Sequence, residues 1–358
     1  MAIPKFDPKE LDGPESQFMP GVKTFNYPVS MYDGVKALYD RKPVWQVLDS
    51  MDNKLFTPRI IPDNVARALI FEAGEPFDAV TQGGGLDMFG IDWEYIPVAT
   101  GSMVRPGKPF IEDANEWYDK VVWPDIDSWD WEGSAKLNNG TYLKPENYNV
   151  AWFQTGWYER LISFMDFEGA IMALYDEDQQ DAVKALFDKL SDLYVRIFEK
   201  YVTHFPDVHA FFIHDDWGSQ KETFFSPALC EEMIVPYMKR VTDFLHSKGK
   251  MCILHSCGQL LKQVPNIIAA GWDAWGPQLM NDTHKIYELY GDKLLIGVDP
   301  APIAEDATEE QQRAAAREYA DKFCNPKKPS FFNFYSASKL TPAFREEMYK
   351  QSRINYSK

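Results

Sequence analysis

Cysteine is scarce, with four among 358 residues, too few for a disulfide scaffold. Basic charge is also short: 37 Lys and Arg stand against 54 Asp and Glu, a net charge of −17. Such a chain lacks the basic stripe that neutralises nucleic-acid phosphates. The same charge opposes docking on an anionic membrane surface. No run approaches the ~18–20 apolar residues of a spanning helix. The stretch MAIPKFDPKELDGPESQF has no apolar signal-peptide core, so the cytoplasm is the expected location. There is no repeat of 20–50 residues and no low-complexity tract. GxxxxGK[ST], HExxH and GxSxG are missing, and the run Gln82-Gly83-Gly84-Gly85 lacks the GxGxxG spacing of a dinucleotide site.

What is present suits a pocketed enzyme. Apolar residues make up 45% of the chain and aromatics 15%, enough for a large core. Trp and Tyr join an apolar body to one polar handle, so they line clefts as readily as cores. The length fits one large domain or two small ones; the expectation is a single domain over 1–358. Residues 1–28, rich in Pro, Gly and charge, read as an N-terminal extension on the surface. Residues 29–150 are broken by turn signals such as Arg105-Pro106-Gly107 and Asn138-Asn139-Gly140, with a helical patch over 61–73. Residues 125–131 read as a surface turn with packed indoles.

Beyond residue 176 the rhythm is regular. Apolar residues recur every 3.6 positions over 178–203, the mark of an amphipathic helix. Apolar runs at 208–213, 251–255, 272–275, 293–298 and 331–335 read as buried strands. Helices are expected between them: from Ser226-Pro227 to about Lys248, up to Ala270, over 281–290, over 309–323 and over 342–351. Strand–helix alternation means crossover connections and a parallel sheet. Five units in half the chain, with room for three upstream, point to a (β/α)8 TIM-type barrel. An open doubly wound sheet is the alternative.

In a barrel, function sits at the C-terminal ends of the strands. Those ends carry His214-Asp215-Asp216-Trp217, His255-Ser256-Cys257-Gly258, Val298-Asp299-Pro300 and Tyr335-Ser336. In His255-x-Cys257 an imidazole and a sulfur on an extended segment point the same way. Together they favour zinc, or else they are a satisfied core histidine and a small buried thiol. Of Asp215 and Asp216, alternation lets one face the pocket, while the other caps a turn or meets solvent. Asp216 or Glu222 would complete a metal shell. Tyr335 would serve as a proton or hydrogen-bond donor, with Ser336 beside it. Trp217, Met88 and Phe89 are candidates for holding a substrate ring, or they pack the core. Cys230, Cys252 and Cys324 read as structural.

Residues 214–227 (HDDWGSQKETFFSP), 236–250 (PYMKRVTDFLHSKGK), 254–278 (LHSCGQLLKQVPNIIAAGWDAWGPQ) and 294–300 (LLIGVDP) resemble the uroporphyrinogen decarboxylase superfamily. Residues 86–131 look like its branch of corrinoid-dependent O-demethylases of anaerobic bacteria, as their methyltransferase I component. The resemblance implies a TIM-type barrel. It also implies methyl transfer from an aryl methyl ether to the Co(I) centre of a separate corrinoid protein, with zinc as the metal. Methylamine, quaternary ammonium or thiol substrates are the alternative within the same fold. The true decarboxylase carries an Arg-rich N-terminal motif, and no RxxGR occurs here. Relatives that use coenzyme M bind zinc through HxC and a later Cys. His255 and Cys257 match the first two, and the third position falls near Tyr335-Ser336. A homodimer stays open as an assembly. So does a non-catalytic binding protein built on the barrel.

Overall fold

The computed structural model describes residues 4–14, 23–99 and 101–358. These residues form ten strands: β1 (Asn53–Phe56), β2 (Gly85–Leu86), β3 (Asp92–Ile96), β4 (Gly101–Val104), β5 (Tyr148–Phe153), β6 (Val208–His214), β7 (Met251–His255), β8 (Ala274–Trp275), β9 (Leu295–Val298) and β10 (Phe331–Phe332). The chain divides into two compact units, residues 1–54, 145–148 and 273–358 in the first, and 55–144 and 149–272 in the second.

In the second unit β5, β6 and β7 are parallel neighbours, with Phe153 opposite Ile213 and Ile213 opposite Leu254. Helices Trp157–Tyr175 and Glu177–His204 fill the crossover from β5 to β6. The long second helix starts where the Asp176 carboxylate accepts the Asp178 N–H, satisfying an otherwise unpaired donor of the first turn. Its apolar stripe (Leu186, Phe187, Leu190, Ile197) is wholly buried. Neither β5 nor the helix after it was legible in the turn-rich sequence. The helical patch expected over 61–73 is short: Pro62–Ala66 is helical, and Ala68 takes a left-handed φ of 61° that ends it. The helix expected from 227 to 248 is two, Pro227–Met233 and Val235–Ser247. Pro236 has no N–H to continue the ladder and crowds the preceding turn. β2, β3 and β4 form an antiparallel meander with Trp93 opposite Val104. At 125–131 the 3-10 turn Ile126–Ser128 precedes a buried Trp131 that packs 5.8 Å from Trp129.

In the first unit β8, β9 and β10 are again parallel neighbours in chain order. Helices Thr283–Tyr290, Glu309–Phe323 and Pro342–Tyr356 lie between and after them. The strand expected over 331–335 is only Phe331–Phe332. A 3-10 turn, Phe334–Lys339, follows and carries Tyr335 and Ser336. Residues 4–14 are not a purely superficial extension, because Glu10 is buried and takes the Arg353 guanidinium at 2.8 Å and the Tyr349 hydroxyl at 2.7 Å. The remainder of that expectation, at 1–3 and 15–22, lies outside the described residues. No helix among the described residues is long and apolar enough to cross a membrane.

Asp52 in this unit sets a pH test. Burial pushes its carboxyl from the usual ~3.9 up to about 6, against the hydrogen bonds it receives from the Leu48 N–H and the Trp45 indole. A raised folded value means that the folded state binds the extra proton. Stability tied to Asp52 is therefore greatest below pH ~4 and is lost as pH rises through 6, by about 3 kcal/mol. Asp52→Asn should flatten that part of the stability profile. Urea unfolding at pH 4.5, 5.5 and 6.5 checks it, and an unchanged profile refutes the assignment.

Candidate metal centre

Every residue of the cluster belongs to the second unit. His214 ends β6, His255 ends β7, and the two are register partners. The chain then leaves each strand into a loop. Asp215 and Asp216 point apart, as strand alternation requires. Asp215 turns inward and is fully buried; it accepts the Trp217 indole N–H at 2.9 Å and the Glu159 backbone N–H at 2.9 Å. That second bond caps the helix Trp157–Tyr175, whose own N-cap residue, Gly156, has no side chain for the task. A Cβ on Gly156 would lie 2.6 Å from that of Asp215, so the glycine makes room for the carboxylate. Burial pushes the Asp215 carboxyl up to about 7.

Asp216 turns the other way. Its Oδ1 accepts the Cys257 backbone N–H at 2.7 Å and lies 3.1 Å from His214 Nε2 and 3.9 Å from His255 Nε2. Cys257 Sγ is 3.5 Å from His255 Nε2. One ligand atom from each of His214, Asp216, His255 and Cys257 lies within 4.8 Å of the others. Gly258 follows at φ 99°, and a Cβ there would meet the Gly218 carbonyl carbon at 2.2 Å. Only glycine lets the two loops approach this closely.

Hydrogen bonding assigns the roles. Arg67 Nη2 sits 3.0 Å from His214 Nδ1, and a guanidinium can only donate. Nδ1 therefore accepts, and Nε2 carries the hydrogen and donates to Asp216. A ring nitrogen that carries hydrogen cannot ligate, so His214 orients Asp216. Arg67 is itself fixed by Glu159 at 2.9 Å and by the face of Trp93 at 4.8 Å. Burial and the Arg67 guanidinium oppose a second proton on His214, while Glu159 and Asp216 favour one. Burial works against the Asp216 carboxylate too, yet His214 and the Cys257 N–H hold it well below the usual range. Burial lowers His255 to about 3, leaving it neutral and able to bind a metal. Burial and Asp216 push the Cys257 thiol up, so metal uptake there would release a proton.

Asp216, His255 and Cys257 thus supply oxygen, nitrogen and sulfur. Zinc bonds of ~2.0–2.3 Å place tetrahedral ligands roughly 3.3–3.6 Å apart, close to the 3.5 and 3.9 Å seen. Three protein donors are the number that a catalytic zinc takes, a structural zinc taking four. The residues present fit zinc.

Each of the other expected residues has surroundings of its own. Glu222 is exposed and salt-bridged to Lys262, outside the cluster. Trp217 is wholly buried; it fills the core and does not roof a substrate. Met88 and Phe89 are 8% exposed. Phe89 stacks edge-on to Phe164 and Trp123, under the Arg160 guanidinium. Tyr335 and Ser336 belong to the first unit, where Ser336 is buried and its hydroxyl donates to Asp299 at 2.6 Å. Cys324 is buried and its thiol donates to Gln46, and Cys230 and Cys252 are buried too. His214 as the orienting group, and Arg67 behind it, were not foreseen. Strand-end position marked His214, but nothing local pointed to Arg67, 147 residues away. A cavity of about 710 Å³ also opens in this unit, lined by Trp93, Tyr95, Val104, Arg105, Phe110 and Ser163 among others.

The model of the uroporphyrinogen decarboxylase (URO-D) family matches residues 158–347, more than half of the chain. The chain belongs to the uroporphyrinogen decarboxylase family. This family member also resembles a methyltransferase from Methanosarcina mazei, with a TM-score of 0.57 and 14% identity over 91% of this chain and 98% of that one. At that identity the likeness shows the fold, the TIM-type α/β class expected from strand–helix alternation. A B12-independent methionine synthase from Shewanella sp. W3-18-1 is more distant, with a TM-score of 0.34 and 10% identity over 59% of this chain and 61% of that one. No curated protein sequence matches this family member.

Proposed function

We propose that this URO-D family member is a zinc-dependent methyltransferase. It takes a methyl group from an aryl methyl ether and passes it to the Co(I) centre of a corrinoid protein. The observation that carries the proposal is the convergence of Asp216, His255 and Cys257 at adjacent strand ends. Zinc held by these three groups would keep a fourth position for the ether oxygen and, as a Lewis acid there, would take up charge as phenolate departs.

The chain's own residues prepare that position. His255 stays neutral through burial, so its lone pair is available. His214 donates to Asp216 and fixes which carboxylate oxygen faces the centre. Arg67 and Glu159 hold the His214 ring in the tautomer that can do so, the outer support that metal centres depend on. Kinship with a family that contains barrel enzymes, and likeness in fold to the Methanosarcina mazei methyltransferase, support the reading.

The test incubates the protein with zinc, a reduced corrinoid protein and a panel of methoxyarenes, and follows the cobalt spectrum. Methyl-cobalt formation that needs zinc supports the proposal. Failure with the whole panel, alongside transfer from a methylamine or a thioether, would move the substrate to that class. No metal and no transfer with any donor would leave a binding protein.

A further inference from the structure

Gln154 is 1% exposed, yet neither atom of its carboxamide meets a hydrogen-bond partner among the described residues. A buried amide normally satisfies both ends, and a departure of this kind at a strand end points to a ligand. The backbone ladder places it. Trp152 is opposite Phe212 and Phe153 opposite Ile213. The Gly156 N–H donates to the His214 carbonyl at 2.6 Å, which carries the pairing past the end of β5. Gln154 therefore shares a side-chain layer with His214 and, through it, with His255. It also shares the face of Trp152, two residues earlier. That face is the one of the metal centre, since the Trp152 and His255 rings lie 6.3 Å apart. Adjacent strands are ~4.8 Å apart, so Gln154 stands one strand from His214 and two from His255. The Trp152 indole N–H has no partner among the described residues either.

An amide both gives and takes a hydrogen bond, and an indole N–H gives one. Both are neutral. Neither carries a charge that would pair an ionic group. What suits these groups is an uncharged hydroxyl. We propose that Gln154, helped by Trp152 Nε1, is a specificity subsite that reads a hydroxyl adjoining the methyl-bearing atom of the substrate. This rests on the methyl-transfer reading for the identity of the substrate, but not for the binding itself.

Calorimetric titration of the zinc-loaded protein with 2-methoxyphenol and with methoxybenzene tests it. The unaltered protein should bind 2-methoxyphenol about 10-fold more tightly, and Gln154→Leu and the isosteric Gln154→Met should each erase that preference with zinc content intact. A preference that survives both variants, or no preference or binding in the unaltered protein, overturns the subsite. Methyl-cobalt formation is followed in parallel. Gln154-dependent binding of 2-methoxyphenol without methyl transfer to any corrinoid protein would keep the subsite and defeat the methyl-transfer reading. Methyl transfer without hydroxyl preference would do the reverse.

Discussion

Replacing Cys257 by alanine should lower zinc affinity ~100-fold or more, and Cys257→Ala protein purified with zinc should hold little of it. The size follows from the donor set. Losing even an outer-shell partner of a bound metal costs ~10–100-fold, and Cys257 is one of the three groups proposed to ligate directly. Sulfur is also the donor that most favours zinc over magnesium or calcium. His255→Ala should lose zinc to a similar extent, and methyl transfer should fall in step in both. His214→Ala removes the donor that orients Asp216 at 3.1 Å, so a smaller loss of ~10–100-fold is expected. Glu222→Ala is the control. That carboxylate is exposed and tied to Lys262, and its loss should leave metal binding unchanged. Competition with a chromophoric chelator gives all four affinities. Full-strength zinc binding in Cys257→Ala would remove the centre on which the proposed chemistry depends.

Arg160→Leu should destabilise the protein by ~3–5 kcal/mol, the usual cost of breaking a buried ion pair from one side. Arg160 is wholly buried between Asp63 and Asp87, both also buried. It comes from the helix Trp157–Tyr175, Asp63 from the short helix Pro62–Ala66, and Asp87 from the loop before β3. Asp87 also accepts the Phe89 and Ile91 backbone N–H groups and the Trp93 indole N–H. Removing the guanidinium leaves two carboxylates together in a place poor in water. Each must then take up a proton or leave the core. Adding Asp63→Asn and Asp87→Asn to Arg160→Leu should recover part of the loss, because the repelling charges go with the cation. Urea denaturation measures both steps. A single variant as stable as the parent would show that the pair contributes nothing net.

The three groups at the candidate metal centre differed in how readable they were. His255 and Cys257 are two residues apart on one extended segment, so their convergence follows from backbone geometry alone. Asp216 was recognisable as a carboxylate at a strand end, but its role was not. Whether it met a cation, capped a turn or faced solvent depends on the neighbouring strand, whose Cys257 N–H and His214 ring claim it. Glu222 has the right chemistry and is nearby in sequence, yet its loop carries it to Lys262. Ser336 sits on a 3-10 turn rather than at a strand end, and its hydroxyl is spent on Asp299. Gln154 gave no signal at all. A single glutamine after a strand hidden among turn residues becomes notable only when its amide is seen to be buried and unpartnered.

Periodicity and strand-end position thus determined the α/β class, the order of the elements beyond residue 176, and the strand ends at which His214, Asp216, His255 and Cys257 cluster. These depend on interactions between residues near in sequence, where spacing alone decides which side chains share a face. Tertiary structure alone decided that Arg67 sets the tautomer of His214, that Asp216 rather than Glu222 joins the sulfur and the imidazole, and that Trp217 fills the core. Those outcomes depend on hydrogen bonds between segments far apart along the chain. No local pattern encodes them, because each partner can satisfy its own bonding in several ways until packing leaves one.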